Sequence, residues 1–322
     1  MGCVLVLVEH DRGTVAPATF EALTAARALG VPVHAIGLGA PADALAPELG
    51  AHGAEVVHQV HHDLLADYGP ETWGAALAAA VRTLAPSAVL AAGTDRGNEV
   101  LAQVAARLDA PFVANCIELR GSATADRLEM TRVRWGGSLL EEASLVADVK
   151  ILSVAPHAVE AVPAEGPGTP ATLVVEIDPA LARSNLRARV EREAGVTLST
   201  APVVVGGGRG VGSADGFAPL QELAHELGGV VGCSRAVTNN GWRNHTDQVG
   251  QTGTRIAPDV YFACGISGAI QHWVGAMASK HIIAVNTDPQ ANMVTRAGYA
   301  VIGDLHQVVP AITAEIRRRR AS

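Results

Sequence analysis

The residues able to do chemistry crowd into the last third of the chain. Cys264-Gly-Ile-Ser-Gly-Ala-Ile-Gln-His272 follows the apolar run Val260–Ala263 and opens a helix-like pattern. A buried strand, then glycines, then a helix start presents bare backbone N–H groups to phosphate. The spacing predicts a helix over 268–278 with Ser267 as its N-cap, so that the N–H groups of Gly268 and Ala269 face an anion. Gln271 and His272 then fall in the first turn, where both can hydrogen-bond a ligand. Gly206-Gly-Gly-Arg-Gly210 and Gln248-Val-Gly-Gln-Thr-Gly253 lie in the same third. Three such segments point to a large, phosphate-bearing cofactor.

Each segment is weaker alone. Gly206–Gly210 permits close backbone approach and offers Arg209 to a phosphate, but a ligand-free tight turn explains it equally. No Gly-Lys-Ser/Thr follows, so it is not a Walker loop. Ser234-Arg235 ends the strand-like Val230–Gly232, which places both near a ligand crevice, although a surface salt bridge accounts for the arginine as well. The 248–253 stretch has too many glycines and amides for a helix. As a loop it can lay backbone against a planar ring and let Thr252 donate a hydrogen bond. Asn286 ends another strand, and Asp304 opens the last helix, as its cap or as an acceptor for a ribose hydroxyl. No Ser-His-Asp arrangement, no HExxH and no paired acids accompany them. The chain offers ligand-holding groups and no proton-shuttling machinery.

The rest of the pattern supplies the frame. Strand-like segments at Cys3–Val8, Val33–Gly37, Glu55–Val57 and Ala88–Ala92 alternate with helix-like Pro17–Leu29, Ala42–Leu49, Thr72–Leu84 and Asp95–Leu108. This alternation implies right-handed βαβ units and a parallel sheet. Ile117–Leu119, Arg127–Arg134, Ser138–Val146 and Lys150–Val154 then follow without helices and predict an antiparallel edge or a β-rich cap. Ala171–Ile177 reads as a last strand of this half. A second α/β pattern begins at Val203–Val205, with a helix over 214–227 and further strands at Val230–Gly232, Val260–Ala263, Ile282–Asn286 and Tyr299–Ile302; Leu305–Arg318 closes it. The fold class is α/β in two domains: residues 1–182, a linker over 183–200, and 201–322. Arg183, Arg187, Arg189 and Arg192 make the connection polar.

Composition excludes several classes. At 322 residues and 48% hydrophobic, the chain can fill two ordinary domains. A net charge of −8 without a basic stripe argues against nucleic acid as a partner. The tail Arg317–Arg320 reads as a solvated helix end complementing the helix dipole. Cys3, Cys116, Cys233 and Cys264 include no CxxC pair, so neither zinc nor a redox dithiol is expected, and they read as core residues of a reducing compartment. The apolar start lacks a basic n-region, and no run is long enough to insert in a membrane. A cytoplasmic protein is expected.

Together these segments resemble the alpha subunit of electron transfer flavoprotein. The family's order is present: Gly-Gly-Arg-Gly over 207–210, Ser-Arg at 234–235, Gln-Val-Gly-Gln-Thr-Gly over 248–253, Gly-Ile-Ser-Gly-Ala-Ile-Gln-His over 265–272, Ala-Val-Asn-x-Asp over 284–288 and Gly-Asp-Leu over 303–305. Gly-Thr-Asp-Arg-Gly at 93–97 fits the family's N-terminal domain. The resemblance covers nearly the whole chain and is strongest from 203 to 310. It implies an N-terminal parallel-sheet, nucleotide-binding-like domain that meets a beta subunit, and a C-terminal Rossmann-like domain that holds FAD. The implied contacts are Arg209, Ser234, Arg235, Val249, Gly250, Gln251, Thr252, Ser267, Gly268, Ala269, Ile270, Gln271, His272, Asn286, Asp304 and Leu305. Ser267 and its helix start suit the pyrophosphate, and Asn286 and Asp304 the adenosine end. Arg235, Thr252 and His272 surround the isoalloxazine ring, where a fixed cation and directed donors stabilise the negative charge gained on reduction.

The resemblance also implies an electron carrier and not an enzyme: donor dehydrogenases on one side, a membrane-associated quinone reductase on the other. A bifurcating complex that oxidises NADH is the alternative, with a second FAD in place of AMP in the beta subunit. A third class, a non-redox or deoxyhypusine synthase-like nucleotide binder, predicts colourless protein. The chain departs from the family pattern at Ala291–Val294, at Ala297–Tyr299 and at Val237-Thr-Asn-Asn-Gly-Trp242, where Val-Asp-Ala-Gly is usual. These departures leave the redox partner open and suggest a specialised actinobacterial branch, a mycofactocin-associated relative being one form of it.

Overall fold

β1, Val4–Leu7, is a run of apolar residues that are all buried. That is the signature of a strand covered on both faces, and β1 sits inside a nine-stranded sheet. The computed structural model describes residues 2–187 and 196–321. The part of the expected linker over 188–195 lies outside the described residues. Two units divide the chain: Met1–Arg134 with Leu139–Glu191, and Trp135–Ser138 with Arg192–Ser322.

In the first unit a short hairpin, β2 (His10–Asp11) and β3 (Thr14–Val15), leads into α1 (Pro17–Arg27), whose first residue is proline, as helix starts tolerate. There follow β4 (Val33–Leu38), a 3-10 turn at Ala40–Leu45 continued by α2 (Ala46–Gly50), β5 (Val56–Val60), α3 (Pro70–Leu84), β6 (Ala88–Ala92) and α4 (Asp95–Leu108). Thr94 caps α4 by accepting a hydrogen bond from the Gly97 N–H at 3.0 Å. The unit ends with β7 (Phe112–Arg120), β8 (Arg127–Arg134), β9 (Leu139–Val146), β10 (Lys150–Val154) and β11 (Thr169–Leu173).

The sheet order is β11-β5-β4-β1-β6-β10-β7-β8-β9. Only the β7–β8 and β8–β9 pairings are antiparallel. β10 does not belong to the antiparallel edge; it lies parallel between β6 and β7. All five of its residues are buried. Ser153 within it donates to Asn98 Oδ1 at 2.6 Å and accepts from the Asn115 N–H at 2.8 Å. Burial on both faces needs helices above and below, which an edge position lacks.

The second unit is a five-stranded parallel sheet. In chain order its elements are β12 (Val203–Gly207), α5 (Ala218–Glu226), β13 (Val230–Cys233), α6 (Arg235–Asn239), β14 (Val260–Cys264), α7 (Ile270–Ala276), β15 (His281–Asn286), α8 (Asn292–Arg296), β16 (Tyr299–Ile302) and α9 (Leu305–Ala321). The order is β13-β12-β14-β15-β16. The chain steps from β12 to one side for β13, then returns to the other side for β14. That reversal is where open α/β sheets bind ligands, beyond the carboxyl ends of the strands. The arginine tail of α9 is tied to α5: Arg317 reaches Glu222 and Glu226 at 2.8 and 2.7 Å. All four cysteines are free and buried. Among the described residues no helix is long and apolar enough to cross a membrane.

Candidate functional site

A cleft of about 760 Å³ opens beyond the carboxyl ends of these strands. Each strand delivers its own group to it. β12 leads to Arg209, β13 to Ser234 and Arg235, β14 to the loop Gly265–Ala269, β15 to Asn286, and β16 to Asp304 and Leu305. A cavity of this size falls in the range that holds cofactors.

The floor is built by glycine loops pressed backbone to backbone. The Gly208 N–H donates to Cys264 O at 2.9 Å, and the Gly210 N–H to Gly265 O at 3.1 Å. A Cβ at Gly208 would lie 2.1 Å from Gly265 O, so only glycine fits. Gly268 sits at φ +77°, and a Cβ there would come within 2.3 Å of the Met293 backbone nitrogen. This corrects the expected helix start. A residue at φ +77° cannot be helical, so α7 begins at Ile270 after Ala269, and Ser267 is not its cap. Ser267 is exposed on the cleft wall instead.

Of the residues expected to bind a ligand, Arg209, Ser234, Arg235, Ser267, Gly268, Ala269, Gln271, His272, Asn286, Asp304 and Leu305 line this cleft. Val249, Gly250, Gln251 and Ile270 do not. Val249 is buried, and the Gln251 N–H donates to Gln271 O at 2.7 Å. Gly250 packs so tightly on α7 that a Cβ on Gly275 would lie 2.3 Å from its Cα. Their loop therefore braces α7. Thr252 lines a smaller adjoining pocket of about 260 Å³ with Arg235, Thr238, Asn239, His245 and Gln248. Within it Thr238, Gln248 and Thr252 form a chain: Thr238 Oγ1 lies 2.7 Å from Gln248 Oε1, and Gln248 Nε2 donates to Thr252 Oγ1 at 2.9 Å.

Other side chains are partly committed. Asn286 Nδ2 donates to Ile266 O at 3.0 Å and so pins the β14 loop. Asp304 Oδ1 accepts from the His306 N–H at 2.9 Å and caps α9, one of the two roles its position suggests. Arg209 and Arg235 make no ion pair among the described residues, and Asp304 is the sole acid among the residues lining either cavity.

His272 is buried, and its Nε2 lies 2.8 Å from the hydroxyl of fully buried Tyr261. Burial lowers its pKa to about 4; the Val249 backbone pulls weakly the other way. The imidazole is thus neutral at pH 7. Its Nδ1 is buried and makes no hydrogen bond of good geometry, although the Val249 backbone lies close enough to favour the protonated ring. Tyr261 was not anticipated. Its signal is a polar-tipped aromatic in an otherwise apolar strand, which needs a partner when buried. Asn239, Asn240, Trp242 and Thr287 also line the cleft and were not anticipated. The short helix α6, which carries Asn239 and is followed by Asn240, gives no periodic pattern.

Two family models match the chain. The electron transfer flavoprotein domain matches residues 4–180, and the electron transfer flavoprotein FAD-binding domain matches residues 197–277. The electron transfer flavoprotein subunit alpha of Mycobacterium leprae is 38% identical over 326 residues, covering 99% of this chain and 100% of that protein. The chain belongs to the electron transfer flavoprotein alpha-subunit family. The subunit alpha of Bacillus subtilis is 34% identical, covering 98% of this chain and 97% of that protein. Protein FixB of Bradyrhizobium diazoefficiens is 36% identical, covering 98% and 89%. The cofactor of this family's C-terminal domain is FAD. The cleft fits such a ligand on its own chemistry: a glycine cradle that any Cβ would fill, and two arginines that make no ion pair among the described residues.

Proposed function

We propose that the chain is the alpha subunit of a heterodimeric electron carrier and holds FAD in the 760 Å³ cleft. Ser267, with the backbone of Gly268 and Ala269, takes the pyrophosphate, and Arg209 adds a cation. Asn286, Asp304 and Leu305 take the adenosine end. Arg235, Thr252 and His272 surround the isoalloxazine ring. When bound, FAD supplies reversible acceptance of one or two electrons. The residues set how readily it does so. Arg235 brings a permanent positive charge toward the charge that reduction adds. His272, neutral, offers Nδ1 as a hydrogen-bonding atom without bringing a second cation. The carrier reading is supported by the family to which the chain belongs.

The observation that carries this reading is one glycine-walled cleft lined by Arg209 and Arg235, which make no ion pair among the described residues, and by His272. The N-terminal unit serves as the surface for a beta subunit. Electrons come from flavoprotein dehydrogenases and leave to a membrane-associated quinone reductase or a similar acceptor. The test is co-expression with the adjacent beta subunit and a count of flavins per heterodimer. One FAD is expected, with AMP in the beta subunit. A second FAD moves the reading to a bifurcating, NADH-oxidising complex, and none overturns it.

A further inference from the structure

The side chain of Gln248 joins Thr238 to Thr252 beside the smaller pocket. Gln248 is 3% exposed, and its main chain is pinned: its N–H donates to His245 O at 3.0 Å, and its carbonyl accepts from the Thr254 N–H at 2.7 Å. The side-chain amide is held in place but can still turn over about its last bond. Its two ends have one shape and differ only in what they give or take.

Two arrangements of hydrogens satisfy this chain. In the first, Thr238 donates to Gln248 Oε1 at 2.7 Å, Gln248 Nε2 donates to Thr252 Oγ1 at 2.9 Å, and the Thr252 hydrogen is left over for a ligand. In the second the amide is turned over. Thr238 gives its hydrogen to Arg235 O, 2.9 Å away, and accepts from the amide nitrogen. The amide oxygen then takes the Thr252 hydrogen, and Thr252 has only a lone pair to offer. Because Arg235 O is a second acceptor within reach of Thr238, neither arrangement leaves an end of the buried amide unpaired. Thr252 itself is exposed to the pocket.

We infer that Gln248 is a positioning residue acting through Thr252: its amide turns over to decide whether that hydroxyl gives a hydrogen bond or accepts one. The inference rests on FAD occupying the cleft with its ring against Thr252. A ring nitrogen of an oxidised isoalloxazine bears a lone pair. Full reduction adds two electrons to the ring and a proton from water to that nitrogen, which then bears a hydrogen. The first state calls for a donor and the second for an acceptor. A threonine fixed in one polarity suits one state alone. The turning amide lets Thr252 suit both, with no main-chain movement and no titrating group.

The test uses the complex purified with its beta subunit, with an isotope label at the side-chain carbonyl of every glutamine. The infrared difference spectrum between dithionite-reduced and oxidised protein reads the amide directly. Wild type should show a label-sensitive pair of carbonyl bands, and Gln248→Met and Thr252→Val should both lack it. Gln248→Met should also hold FAD about two- to tenfold less tightly, the worth of one net hydrogen bond, and that loss should vanish in the Thr252→Val background. If the buried substitution at 248 prevents folding, Thr252→Val, at an exposed position, decides the question alone. Yellow wild-type protein without label-sensitive bands would overturn the inference and leave the cofactor assignment standing. So would bands that survive in Thr252→Val, since another glutamine, such as Gln271 on the cleft wall, would then be their source. Colourless wild-type protein would overturn the cofactor assignment, and the inference with it.

Discussion

The hydroxyl of Tyr261 and Nε2 of His272 lie 2.8 Å apart in the interior of the second unit, and their rings stack with centroids 6.1 Å apart. Both side chains are buried. The contact commits Nε2 of the imidazole to the protein. Tyr261→Phe removes the partner and leaves a buried ring nitrogen unpaired. We expect a loss of about 1–3 kcal/mol in denaturant unfolding of the FAD-free protein. An unchanged midpoint would mean that the pair does not hold His272 in place.

His272 also makes stability depend on pH. Its folded pKa of about 4 is below the ordinary 6.5, because burial disfavours the charged imidazole. The unfolded chain therefore binds more protons between these values, and the stabilising contribution is full above pH 6.5 and lost as pH falls toward 4. At 1.36 kcal/mol per unit this amounts to about 3 kcal/mol. His34 and His58, whose ring nitrogens lie 3.1 Å apart, are also lowered by burial and act in the same direction. Denaturant midpoints measured from pH 7 down to pH 5 should fall, and should fall less in His272→Gln. A flat profile would contradict the assignment of a buried neutral imidazole.

Ser267→Ala separates a cap from a ligand contact. Ser267 does not cap α7, so its hydroxyl is not needed for that helix. The FAD-free variant should unfold within about 0.5 kcal/mol of wild type. FAD should bind more weakly by about 1.5–3 kcal/mol, the worth of a hydrogen bond to a charged group. Full retention of FAD through extended dialysis would remove Ser267 from the phosphate contacts.

Arg235→Ala should leave the fold intact, since Arg235 is exposed and makes no ion pair among the described residues. The reduction potential of bound FAD should fall, with the first electron about 1.5–3 kcal/mol less favourable. A potential equal to that of wild type would show that the guanidinium does not reach the ring.

Local signals were legible where a few neighbouring residues decide the structure. Asp95–Leu108 was read with the bounds it has, because Thr94 caps one end and the apolar spacing is regular. The second unit's strands were found from their apolar runs, and the glycine loops at their ends marked the cleft. What escaped depends on distant chain. β10 is placed between β6 and β7 by pairing that no local pattern encodes. Gly268 looks like a helix start until the backbone of Met293 is brought against it. The Tyr261–His272 contact joins two residues whose separate patterns, a strand and a helix, give no hint of each other. The family motifs named the cleft's walls, but only packing shows that Val249, Gly250 and Gln251 brace α7 from behind.

The most direct test of the account is stepwise dithionite reduction of the heterodimer, followed by its visible spectrum. Yellow protein is expected, with one FAD that takes up its two electrons in separated stages, the first favoured by Arg235. Colourless protein, or a single two-electron stage unaffected by Arg235→Ala, would contradict it.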